Sequence, residues 1–100
     1  MDTKVRFTSI GGDKRQKEVI SILAGKGFQI NTLGWKDVKH ENIQVFNELS
    51  SELFNCHVLM LPIPYCDKNG NITGLNTDVK LDMLLKNLKP GTIVIYGKED

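Results

Sequence analysis

Cys56-His57-Val58-Leu59-Met60-Leu61 is a nearly continuous apolar run, closed by Pro62 and Pro64. A strand with one wet face alternates polar and apolar residues, whereas a strand covered on both faces does not. The run therefore demands packed material on two sides of a sheet, and its neighbours can supply it. Lys4 to Ile10 is rich in β-branched and aromatic residues and reads as a strand that stops at Gly11-Gly12. Asp13 then opens a helix, and Gln16 three residues on completes an Asp-x-x-Gln pattern like a capping box. Gln16, Val19, Ile20, Leu23 and Gly27 fall on one helical stripe, and Gly25 and Gly27 end it. Phe28 to Gly34 alternates with period two and predicts a second strand.

Residues 35–42 read as a polar connection carrying one large aromatic, Trp35. Ile43, Phe46, Leu49 and Leu53 predict a short amphipathic helix leading to the buried strand. Beyond it, Lys68-Asn69-Gly70-Asn71 is a turn signal suited to the tip of a small hairpin. Asn76-Thr77-Asp78 offers N-cap residues for a helix with Leu81, Leu84, Leu85 and Leu88 on one face. Pro90-Gly91 breaks that helix, and Thr92 to Tyr96 is the fourth strand. The resulting βαβαβαβ order implies a three-layer α/β domain with an open parallel sheet of about four strands. Right-handed crossovers permit strand orders 2-1-3-4 and 3-2-1-4. The apolar third and fourth strands, read as buried neighbours, favour 2-1-3-4.

Composition limits what such a domain can do. The 100 residues make one small domain, for which a partner domain and a homodimer are both open. The net charge of +1 removes the bulk electrostatic case for binding nucleic acid. No apolar run approaches the roughly 18 residues of a membrane span, and no secretory leader is evident at Met1. Two cysteines, Cys56 and Cys66, are too few for a disulfide scaffold, so a reduced, cytoplasmic setting is expected. Residues 1–40 carry a net +4 and residues 41–100 a net −3, which makes the first half the more anion-friendly. The chain runs only four residues past its last strand, without a covering helix. Either the domain is minimal or, as favoured, it is the amino-terminal part of a longer protein.

In an open α/β sheet, ligands bind beyond the carboxyl ends of the strands, near the switch in strand order. Gly11-Gly12-Asp13-Lys14-Arg15-Gln16, Pro62 to Tyr65, and Gly97 onward fall at that edge. The glycines allow close backbone approach, the helix start favours an anion, and Arg15 offers a planar fork for carboxylate or phosphate. Equally, the glycines can simply make a tight turn, with Asp13 as an ordinary cap. The stretch lacks the Gly-x-Gly-x-x-Gly spacing of a dinucleotide site and the Gly-Lys-Ser/Thr ending of a P-loop. Pro62 and Pro64 stiffen the second loop, where Tyr65 either meets a ligand or packs at the edge. Cys56 and His57 are adjacent in a strand and point apart, and four tightly spaced ligands are missing, so no metal site is expected. Cys66 has no sequence-local base, and His40 reads as a surface residue.

The block Ile10-Gly11-Gly12-Asp13-Lys14-Arg15-Gln16, followed by an apolar helix and the Gly34-Trp35 ending, resembles the amino-terminal domain of the dipicolinate synthase A subunit. That family opens with a strand and a Gly-Gly-Asp-x-Arg-Gln turn. The resemblance implies a Rossmann-like or flavodoxin-like unit that precedes a nicotinamide-dinucleotide-binding domain in an oxidoreductase of spore dipicolinate synthesis. NAD(P) would then belong to the carboxy-terminal domain, with no cofactor in this segment, and a flavoprotein-like second subunit is a further implied partner. Joined to the anion-friendly turn, the resemblance assigns Gly11, Gly12, Arg15 and Gln16 to a dicarboxylate substrate half-site. Pro62, Pro64 and Tyr65 form the adjacent wall, and Asp13 caps the helix. Alone, the segment is expected to be inactive. The competing reading is a non-catalytic α/β module that dimerises through Trp35 and an edge strand.

Overall fold

The computed structural model describes residues 5–12, 14–34, 40–62, 68–72, 75 and 79–96. In chain order these form β1 (Arg6–Ile10), α1 (Lys14–Gly25), β2 (Gln29–Leu33), β3 (Ile43–Phe46), a 3-10 turn (Ser51–Phe54), β4 (Val58–Met60), α2 (Leu81–Asn87) and β5 (Ile93–Ile95). The strands make one sheet in the order β3-β2-β1-β4-β5, and every pairing is parallel. The four expected strands thus lie in the favoured order 2-1-3-4, with one further strand, β3, beyond β2.

Side-chain alternation sorts the strands between two apolar layers. Phe7 and Ile30 face α1, where Ile20 and Ala24 are buried against them and Leu23 and Ile43 close the margin. Phe7 also meets Phe28 edge-on, with ring centroids 5.4 Å apart. The opposite face carries Ile10, Leu33, Leu59 and Leu61, packed with Leu53 from the 3-10 turn, Leu84 from α2, and Ile72 and Val79. All three residues of β4 are buried, as its sequence demands.

Several expectations are corrected. Ile43 to Phe46 is a strand and no helix: Ile-Gln-Val-Phe alternates and is half β-branched, and it pairs with β2 from Ile30–Ile43 to Leu33–Phe46. Helical structure comes only at Ser51–Phe54, where Ser50 Oγ accepts from the Glu52 N–H at 3.3 Å. Val19 is 43% exposed and leaves the α1 stripe, while Ala24 joins it. Strand β5 is an edge strand with Ile93 and Ile95 exposed, so it is not a buried neighbour of β4. The Lys68–Gly70 turn leads into a small antiparallel arm, not around its tip. The Ile72 N–H donates to Val79 O at 2.8 Å and the Leu81 N–H to Gly70 O at 3.0 Å. Helix α2 begins after Lys80, which makes no side-chain cap; the expected caps Asn76, Thr77 and Asp78 lie outside the described residues.

Two buried threonines make opposite contributions. Thr8 Oγ1 donates to Leu53 O at 2.7 Å, tying β1 to the 3-10 turn inside the core. Thr32 is equally buried, yet its Oγ1 has no hydrogen-bond partner among the described residues. A buried polar group left unpaired costs about 1–3 kcal/mol. We therefore expect Thr8→Val to destabilise the fold by about 1–3 kcal/mol. Thr32→Val, which removes a hydroxyl that gains nothing, should leave stability unchanged or raise it. Urea denaturation of both variants checks the contrast.

Candidate functional site

The strand order reverses between β1 and β4. Chain connections run outward from β1 through β2 to β3, then cross to β4 and continue to β5. With Ser9 opposite Met60, the two central strands end side by side, so Gly11-Gly12 and Leu61-Pro62 leave the sheet at the same edge. This is where open α/β sheets bind ligands.

Gly11 and Gly12 serve the turn in different ways. Gly11 is buried at φ 72°, and its N–H donates to Leu33 O at 2.9 Å, so that donor is spent inside the sheet. Gly34, at the end of β2, passes so near that a Cβ there would lie 3.5 Å from Gly11 Cα and 3.0 Å from Leu75 Cδ2. Gly12 has φ 111°, and a Cβ on it would lie 2.6 Å from Gln16 Cβ. Its missing side chain thus makes room for the first turn of α1. Gln16 is held in turn by Nε2 donating to Ser9 Oγ at 2.9 Å. The Gln16 stem thus packs directly against the Gly12 backbone.

Helix α1 opens with Lys14 and Arg15, both exposed, and has no acidic residue in its first turn. Cations at the positive end of a helix dipole oppose the usual preference for acidic residues there. Two basic side chains therefore stand at the start of α1, beside the switch-point edge. Among the sequence-predicted residues, Gly11, Gly12, Arg15, Gln16 and Pro62 are brought to this edge, with Pro62 buried. Asp13, Pro64 and Tyr65 lie outside the described residues, as do Trp35, Cys66 and Gly97 onward. Sequence reasoning missed Ser9 and Thr32, both fully buried beneath this edge. Their polarity inside otherwise apolar strands was the available signal.

Other candidates recede. Cys56 is buried and its pKa is raised by loss of solvation, more than the Thr8 hydrogen bond and the charges of Arg6 and Lys89 lower it. A neutral, covered thiol is a poor nucleophile. His57 is exposed while Cys56 is not, so the pair does point apart, and no group of three metal-binding side chains forms among the described residues. A pocket of about 290 Å³ between α2 and the sheet is lined by Leu61, Leu81, Leu85, Val94 and Tyr96, and is chiefly apolar.

Comparison with known proteins decides the family. The model of the N-terminal domain of the dipicolinate synthase A subunit matches residues 6–100. The chain belongs to that family. Among solved structures, the dipicolinate synthase A subunit from Bacillus halodurans is similar at 20% identity and a TM-score of 0.76, over 96% of this chain and 34% of that one. Its counterpart from Bacillus subtilis is similar at 21% identity and a TM-score of 0.78, over 100% of this chain and 35% of that one. At these identities the structures speak for the fold, and the chain spans about a third of their length. No curated protein sequence matches it. No described helix is long and apolar enough to cross a membrane.

The Gly12 contact gives a direct test. Gly12→Ala adds a methyl group at positive φ against the Gln16 stem and should cost about 2–4 kcal/mol. Gly70→Ala, at φ 82° with open space around it, should cost about 1 kcal/mol. Equal losses in urea denaturation would show that packing on Gln16 contributes nothing.

Proposed function

We propose that this N-terminal domain of a dipicolinate synthase A subunit supplies a half-site for a dicarboxylate substrate in spore dipicolinate synthesis. The observation that carries this reading is the basic first turn of α1, Lys14-Arg15, standing at the switch in strand order. Arg15 binds one carboxylate through its fork, helped by the N–H groups that begin α1. Gly12 and Gln16 hold the turn in shape. Gly11, whose N–H is spent on Leu33 O, brings β1 and β2 close and makes no ligand bond through that group. Pro62, two residues past β4, stands on the facing side.

In this reading the chain binds and orients substrate and performs no chemistry by itself. The nicotinamide dinucleotide belongs to a carboxy-terminal domain of the parent oxidoreductase, in keeping with a chain that spans about a third of the similar structures. That domain closes over the switch-point edge. A flavoprotein-like second subunit is the further partner, and the cytoplasm is the setting. The second reading, a dimerisation or interaction module, is favoured by one observation: Ile93, Ile95 and Tyr96 are 60%, 52% and 64% exposed at the edge strand.

Calorimetric titration of the chain with dipicolinate separates the two. We expect saturable binding, weakened about tenfold or more by Arg15→Ala, the loss of a hydrogen bond to a charged group. Wild-type binding that survives Arg15→Ala unchanged would overturn the half-site. No binding, together with a concentration-dependent dimer lost in Ile95→Lys, would establish the module.

A further inference from the structure

At the amino edge of the sheet, five residues along β1 and roughly 15 Å from the switch point, lies a second polar group that plays no part in the dicarboxylate half-site. Arg6 begins β1, Asn55 follows the 3-10 turn, and Lys89 follows α2. Arg6 Nε donates to Asn55 O at 3.2 Å and its Nη2 donates to Asn55 Oδ1 at 3.3 Å. Lys89 Nζ donates to the same Oδ1 at 2.9 Å. Two cationic heads thus converge on one neutral amide oxygen, and neither forms an ion pair with a carboxylate among the described residues. His57 is held alongside, its Nδ1 accepting the Arg6 backbone N–H at 2.9 Å, so Nε2 is the ring's own donor.

This arrangement leaves positive charge and donors unspent. A guanidinium has five N–H donors and an ammonium three, and only some of them are engaged here. Because Oδ1 takes both cations, the Asn55 amide is oriented with Nδ2 as a further donor, which bonds nothing among the described residues. These groups line an open pocket of about 210 Å³, completed by Cys56, Pro90, Gly91 and Thr92. The lining has no acidic residue. Like charges gathered on a neutral oxygen repel one another, and an oxyanion in the pocket relieves that repulsion while accepting from both heads.

We propose that Arg6, Lys89 and Asn55 form an oxyanion-binding site for a phosphate-type dianion, distinct from the switch-point edge. The site is independent of the dicarboxylate half-site and stands or falls without it. The test is an amide NMR titration of the labelled chain with inorganic phosphate, and separately with phenyl phosphate, at constant ionic strength. We expect saturable shifts at Arg6, His57 and Thr92, with Gly11, Gly12 and Gln16 unmoved. Lys89→Gln, an exposed change that leaves the core intact, should weaken the apparent affinity about three- to fivefold. Tighter binding of the ester would assign the site to a phosphorylated small molecule, and equal binding to free phosphate; either upholds it. Shifts that do not saturate, shifts confined to the switch-point edge, or an unchanged affinity in Lys89→Gln would overturn it.

Discussion

Pairing of β1 with β4 is the contact on which the rest of this domain depends. It joins segments some fifty residues apart in sequence, placing Phe7 opposite Val58 and Ser9 opposite Met60. With those strands adjacent, β2 and β3 lie on one side and β5 on the other, and the order reverses between them. Both apolar layers follow from the same contact. Helix α1 covers Phe7 and Ile30 on one face, while the 3-10 turn and α2 cover Ile10, Leu33 and Leu59 on the other. The bond from Thr8 to Leu53 O locks the crossover turn onto the back of β1 at the centre of this arrangement.

A turn that looks like a ligand cradle also serves as a packing device. Gly11 spends its N–H on β2, and Gly12 makes room for the stem of Gln16. The start of α1 carries two exposed cations, Lys14 and Arg15. That division gives recognition to Arg15 and shape to the glycines in the proposed half-site. Net charge close to zero hides two local basic groups, one at each end of β1: Lys14 and Arg15 beyond its carboxyl end, Arg6 and Lys89 at its amino end.

Much of this is legible in the sequence, for physical reasons that also mark its limits. The Cys56–Leu61 run announces a doubly covered strand, since no polar alternation interrupts it, and the switch-point edge then follows from topology alone. Ile43 to Phe46 misleads because Ile43, Phe46, Leu49 and Leu53 fit a helical spacing as well as Ile-Gln-Val-Phe fits a strand; pairing with β2, a non-local contact, settles it. The exposed face of β5 is equally hidden, because apolar residues alone do not say whether anything covers them. The roles of Gly11 and Gly34 cannot be read from either turn alone, since they arise where two turns meet. The amino-edge group is invisible for the same reason: Arg6, Asn55 and Lys89 are far apart in sequence.

If the crevice between β1 and β4 is the ligand edge, Arg15 and the start of α1 are its anion-binding wall. An amide NMR map of the labelled chain, titrated with dipicolinate and separately with a reduced nicotinamide dinucleotide, puts that assignment to the test. Saturable shifts from Gly11 to Gln16 and around Leu61 are expected with the dicarboxylate, and none with the dinucleotide. Shifts at this edge with the dinucleotide alone would contradict it.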